Sequence, residues 1–189
     1  MKQASVYIYQ HRGIQTRLMA IQPGIIRVTH TRRDAYLENP SPSVICQNVT
    51  EGQLCEEAHQ ALFTVGELTA VVSLDTGALT FRNAAGETLL REPDRRPHLL
   101  EEKPVILNAY DENSKVEEGL SVDGVRAWAK PSRTWQDRTA YECRQNFVFD
   151  AEEGLYGLGS HEEGYGNLRG RSQLLYQHNM KAVVPVLVS

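Results

Sequence analysis

The sequence predicts an all-β fold, an antiparallel sandwich with few or no helices, and three observations carry that expectation. Apolar and polar residues alternate through residues 6–9, 14–21 and 25–31. Turn signals, His11-Arg12-Gly13 and Pro23-Gly24, separate those runs at short intervals. Residues 68–90 then read as a β-meander with its own turns. Because successive side chains of a strand point to opposite faces, a period of two marks a segment with one buried face.

The elements follow in order. Residues 32–42 are polar and contain proline, which makes them a loop before a short strand at 44–46. Residues 50–63 are ambiguous. Thr50 with Gln53 could form a capping box, and Leu54, Ala58, Ala61 and Leu62 suit a helix face. Ala61, Phe63 and Val65 alternate instead, so the C-terminal half reads as strand and the rest stays open. In the meander, Leu68, Ala70, Val72 and Leu74 share one face, Asp75-Thr76-Gly77 turns the chain, and Leu79 and Phe81 return. A glycine after Asp-Thr supplies the left-handed residue that a three-residue hairpin loop demands. Residues 91–103 are charged and read as a surface excursion. Strands are expected at 105–110, 125–129 and 140–149, with an acidic turn region at 111–119. Trp128 and Trp135 could stack on sugar rings, although such residues more often fill a core or its rim.

A chain of 189 residues can bury a real core, and with no internal repeat or linker a single domain over 1–189 is the economical count. The formal charge of −4, from 20 basic and 24 acidic residues, offers no basic field for nucleic acid. Arg32-Arg33 and Arg95-Arg96 are isolated pairs. No apolar run has the length of a membrane span, and residues 1–13 lack the apolar core of a signal peptide. Cys46, Cys55 and Cys143 are odd in number and form no CxxC pair, which fits reduced thiols and a cytoplasmic location. The sequon Asn48-Val49-Thr50 would matter only in a secretory protein.

The tail is the most distinctive stretch. Glycines 154, 157, 159, 164, 166 and 170 crowd together. A dinucleotide fingerprint fails because Glu162 stands where a third glycine is needed, and no Gly-Lys-Ser/Thr follows for a P-loop. His161-Glu162 lacks a second histidine four places on, where Tyr165 stands, so no metal site follows. Acidic neighbours such as Glu101-Glu102, Glu117-Glu118 and Glu152-Glu153 would point to opposite faces of a strand and make no catalytic dyad. The polar cluster Gln177-His178-Asn179-Met180-Lys181 precedes a β-branched apolar run, in which Pro185 argues for an edge or a bulge.

Leu155-Tyr156-Gly157-Leu158-Gly159, Asn167-Leu168-Arg169-Gly170, Tyr176-Gln177-His178-Asn179 and Pro185 together resemble the N-terminal β-sandwich of glycoside hydrolase family 31, the retaining α-glucosidases, α-xylosidases and relatives. Residues 25–31 and 68–92 also look like that domain. The resemblance implies a galactose-mutarotase-like supersandwich, ending before a catalytic (β/α)₈ barrel of the same polypeptide that carries both catalytic aspartates. It implies no catalytic residue, metal or cofactor in this chain, and an α-linked oligosaccharide or glycoside as the parent's substrate. In the family a sandwich loop lines the leaving-group side of the active site, and the matching positions here are His178, Asn179 and Lys181. Asn179 falls where relatives often carry aspartate. The competing expectation is a free-standing carbohydrate-binding or mutarotase-like module, whose acid and base could be recruited from His30 and His59. Self-association is compatible with either.

Overall fold

The computed structural model describes residues 2–36, 38, 44, 49–122 and 124–189. Among the described residues there is no helix. The chain divides into two compact units, Met1–Phe147 and Val148–Ser189.

Two sheets make the sandwich of the first unit. One is six-stranded, built from β1 (Lys2–Ala4), β5 (Gly52–Glu56), β6 (Gln60–Val65), β7 (Leu68–Ser73), β8 (Leu79–Arg82) and β9 (Thr88–Arg91), in that spatial order. The other is the meander of β2 (Val6–His11), β3 (Ile14–Gln22) and β4 (Ile25–Thr31). All their pairings are antiparallel. Tyr7, Tyr9, Leu18 and Ala20 from the smaller sheet join Leu54, Ala61, Phe63, Val65, Ala70, Val72 and Leu79 of the larger in one buried cluster. Alternation therefore does what it should: each sheet gives one face to the core. Burial of a side chain such as Phe63 or Leu18 is worth about 1.5–3 kcal/mol.

The ambiguity at 50–63 resolves as two strands. Leu54 lies in the core opposite Phe63, a pairing that a helix could not make. The strand expected at 44–46 and the asparagine of the sequon fall largely outside the described residues, as does Cys46. Cys55 and Cys143 are free thiols.

Tyr9 explains how the sheets lock at one end. Its hydroxyl donates to the Gly77 carbonyl at 2.9 Å, and burial pushes the phenol's pKa up. Gly77 has φ 76°, as the expected turn requires, and a Cβ there would meet the His11 ring at 2.9 Å. Arg17, on the opposite face of β3, is buried under the Tyr36 ring (4.1 Å to its centroid) and pairs with Glu38 at 2.5 Å.

Beyond the sandwich, β10 (His98–Ala109) and β13 (Arg133–Gln145) form a long two-stranded ribbon with a register shift at Val105/Ile106. Within it lies a second hairpin, β11 (Lys115–Ser121) with β12 (Gly124–Lys130). The excursion expected at 91–103 is thus already strand from His98. The reason is physical: this ribbon is solvated on most of both faces, so no apolar period marks it. Trp135 lies under the Arg133 guanidinium at 4.5 Å, and Trp128 lies across Gly119, so both are rim residues about half exposed.

The second unit holds a ribbon of β14 (Tyr156–Ser160) and β15 (Ala182–Val188). Register shifts between Gly157 and Gly159, opposite the segment containing Pro185, as a proline without an N–H should impose. Leu168 is its buried apolar residue, whereas Leu174, Tyr176, Met180, Val186 and Val188 are exposed.

Gly77→Ala should cost more stability than Gly86→Ala. Both have positive φ, worth about 1–2 kcal/mol of strain, yet nothing lies within 4 Å of a Cβ at Gly86. Urea denaturation of the two variants checks this; equal losses would mean that the His11 contact carries no weight.

Candidate functional site

The tail motifs each have a structural job. Asn167 Oδ1 accepts from the Leu155 amide at 3.1 Å and from the Arg169 amide at 3.0 Å. The Leu168 amide donates to the Leu155 carbonyl at 2.7 Å, and Arg169 Nη1 donates to the Glu153 carbonyl at 2.9 Å. Asn-Leu-Arg-Gly therefore ties the loop back onto the entrance of β14. On that strand, a Cβ at Gly159 would collide with the Ala182 carbonyl and sit 2.8 Å from the Val184 nitrogen. Only glycine lets β15 approach so closely.

The polar cluster is a tight turn. His178 and Lys181 form an isolated antiparallel bridge, and the Lys181 amide donates to the His178 carbonyl at 3.2 Å. Gln177 clamps it from the side. Its Nε2 donates to the Lys181 carbonyl and, at 3.3 Å, to the His178 carbonyl, while its Oε1 accepts from the Val183 amide at 2.9 Å. The Met180 amide donates to His178 Nδ1 at 3.3 Å, so a neutral His178 carries its proton on Nε2.

The structure thus brings His178, Asn179 and Lys181 into one exposed turn, with different freedom. Asn179 makes no hydrogen bond among the described residues and is solvent-exposed. Lys181 is bound, Nζ to Glu163 Oε1 at 2.6 Å, and that hydrogen bond holds the Glu163 carboxyl below its ordinary pKa. Sequence reasoning placed the trio but missed Gln177 and Glu163. Gln177 stood in the motif, but nothing in residue type announces a side chain that substitutes for a strand partner.

The first unit holds a separate polar cluster. His30 stacks on His98 with centroids 4.0 Å apart and planes at 22°, and Glu92 Oε1 lies 3.5 Å from His98 Nδ1. Thr16 Oγ1 pairs with His30 Nδ1 at 2.8 Å. Glu92 accepts from the Leu79 amide at 2.8 Å and from Gln145 Nε2. One ligand atom from each of His30, Glu92 and His98 lies within 4.8 Å of the others. Near-parallel rings, however, aim their in-plane lone pairs side by side, whereas a tetrahedral zinc needs them to converge. Burial, then the neighbouring His98, lowers the His30 pKa to about 4. The group is best read as a stacked imidazole pair beside a carboxylate. His59 takes no part in it, since its Nδ1 pairs with Asp75 at 3.1 Å on the surface.

A two-sheet antiparallel sandwich and a glycine-pinned ribbon define an all-β domain of the sandwich class. Residues 15–182 match the glycosyl hydrolase 31 N-terminal galactose mutarotase-like domain. The chain belongs to that family. It is similar to an uncharacterized family 31 glucosidase, ORF2, of Pseudescherichia vulneris, with 29% identity over 140 residues, 74% of this chain and 24% of the relative. Its structure is similar to that of the family 31 α-xylosidase of Xanthomonas citri, with TM-score 0.71 and 25% identity, covering 98% of this chain and 17% of that one. It also resembles in fold a family 31 α-xylosidase from a soil metagenome complexed with xylose, with TM-score 0.66 and 20% identity, covering 97% of this chain and 25% of that one. The chain therefore spans a quarter or less of the length of these proteins.

Two outcomes follow. Gln177→Ala should speed amide exchange at Val183 about tenfold, the loss of one net hydrogen bond, while Leu168 keeps its protection; hydrogen-exchange NMR reads both. For His30, the folded pKa near 4 lies below the unfolded value of 6.5, so the unfolded state protonates first. Its contribution is complete above pH 6.5 and is lost between about 6.5 and 4, on the order of 3 kcal/mol in all. Thermal melts of the wild type against His30→Gln should show a shallower acid slope in the variant.

Proposed function

We propose that the chain is the N-terminal, non-catalytic domain of a retaining α-glycosidase of the α-glucosidase or α-xylosidase class, hydrolysing O-glycosidic bonds. It packs on a (β/α)₈ barrel of the same polypeptide and lends the 178–181 turn to the leaving-group side of the active site. The observation that carries this reading is the turn itself: Gln177 fixes it, and Asn179 stands on it exposed and unbonded. An amide donates and accepts, so it can pair with either partner of a sugar hydroxyl, whereas a carboxylate only accepts. His178, with its proton on Nε2, adds a donor, and Lys181 with Glu163 braces the turn. The exposed apolar face of β15 supports packing against a larger neighbour, because exposed patches of that kind mark interaction surfaces. The resemblance in name to a glucosidase and two α-xylosidases favours those sugars.

A free-standing mutarotase-like module is the second reading, and the His30–Glu92–His98 group is what favours it. Its weakness is the carboxylate: Glu92 is 3% exposed and already accepts from the Leu79 amide and Gln145, so it does not face a sugar ring as acid or base.

The chain alone is expected to release no product from aryl α-glucosides or α-xylosides; turnover that persists after host glycosidases are removed would refute the accessory role. In the longer enzyme, Asn179→Ala should change selectivity among aglycones by about three- to tenfold, the worth of one hydrogen bond, with the rate of glycosyl-enzyme hydrolysis unchanged. An unaltered aglycone profile would remove Asn179 from the site.

A further inference from the structure

A cavity of about 510 Å³ opens in the first unit where the β2–β3 turn meets the start of β10. Its lining includes four arginines, Arg12, Arg32, Arg96 and Arg144, and both His11 and His98. The carboxylate among its lining residues, Glu101, already lies 3.2 Å from Lys103 Nζ. In a chain whose net charge is −4, this is a local reversal of sign.

Two of the arginines are held at a cost. Arg12 has φ 48° and Arg96 has φ 59°, the left-handed region that a branched-at-nothing but Cβ-bearing residue enters at about 1–2 kcal/mol. Neither makes an ion pair among the described residues. Arg32 and Arg144 are better anchored, the first by donating to the Leu100 carbonyl at 3.0 Å and the second by pairing with Glu142 at 2.7 Å. Residues kept in sparsely populated backbone regions gather at ligand sites, where a bound group offsets the strain.

Burial supplies the independent sign. His98 is 8% exposed, yet its Nδ1 has no hydrogen-bond partner, Glu92 Oε1 being 3.5 Å away; His11 Nε2 is likewise buried and unpartnered. Buried polar atoms are paired in nearly all native proteins, so two unpaired imidazole nitrogens on residues flanking one basic cavity mark unmet hydrogen-bonding capacity beside it.

We infer that this cavity is a binding site for a small, multiply charged oxyanion, a phosphate ester or a polycarboxylate. Guanidinium forks match the paired oxygens of both groups. The volume lies within the range of about 300–1,000 Å³ typical of small-molecule sites, well beyond what a bare anion fills. A neutral sugar would bring no counter-charge to Arg12 and Arg96, which have no ion-pair partner among the described residues, so the ligand differs in class from a glycoside.

The test is a titration of the full-length protein with inorganic phosphate and, in parallel, citrate, each against sodium chloride at matched ionic strength, followed by calorimetry and by thermal melting. Saturable binding with a rise in Tm beyond the chloride control is expected, and whichever anion binds more tightly names the source chemistry. Arg12→Gly with Arg96→Gly relieves both strained positions, so this double variant should melt no lower than wild type without anion while losing at least tenfold in affinity. Arg144→Gln, on a regular strand, should also weaken binding several-fold and provides the check if the double variant folds poorly. Tm shifts no larger than chloride gives, or undiminished affinity in these variants, would overturn the site.

Discussion

Leu18 of β3 and Phe63 of β6 are both wholly buried in one cluster, and the larger unit depends on that contact between two sheets. Neither sheet could stand alone, since each has one apolar face that water would otherwise wet. Pressing them together removes both faces at once, and the remaining details serve that closure. Tyr9 reaches across to Gly77, Thr16 engages His30 across the β3–β4 pair, and the buried Glu92 accepts from the Leu79 amide. These three polar groups enter the packed interior with partners, which is the condition for burying them at tolerable cost.

The contrast between the sandwich and the long ribbon explains how far the chain was legible. Residues 68–90 were readable because Ala70, Val72 and Leu79 join the core cluster on one face of the sheet, so burial writes its period into the chain. Residues 101–104 were not, because both faces of β10 meet solvent there and no apolar period marks them. At 50–63 two periodicities coexisted locally, and only the pairing of Leu54 with Phe63, a tertiary fact, decided between them. Short strand β1 left no signal at all.

The same limit governs the candidate site. His178, Asn179 and Lys181 are sequence neighbours, so a motif could name them together. Gln177's role depends on carbonyls and an amide placed by the fold, and Glu163 meets Lys181 from 18 positions away in the chain. His30, Glu92 and His98 lie on separate elements and carried no shared spacing. The four arginines of the basic cavity are drawn from four places in the chain, two of them from pairs that looked like ordinary solvated charge.

The β14–β15 ribbon has a consequence of its own. Two strands with one large buried apolar side chain hold little cohesion in water, since an isolated hairpin is marginal at best. Its outer strand offers Val184, Val186 and Val188 alongside unpaired backbone groups, the profile of a sticky edge. Such a segment is ordered by what it rests against, and left uncovered it would recruit like strands from other molecules. Wherever β15 is left bare, association should therefore begin at Ala182–Val188, long before the sandwich core loosens.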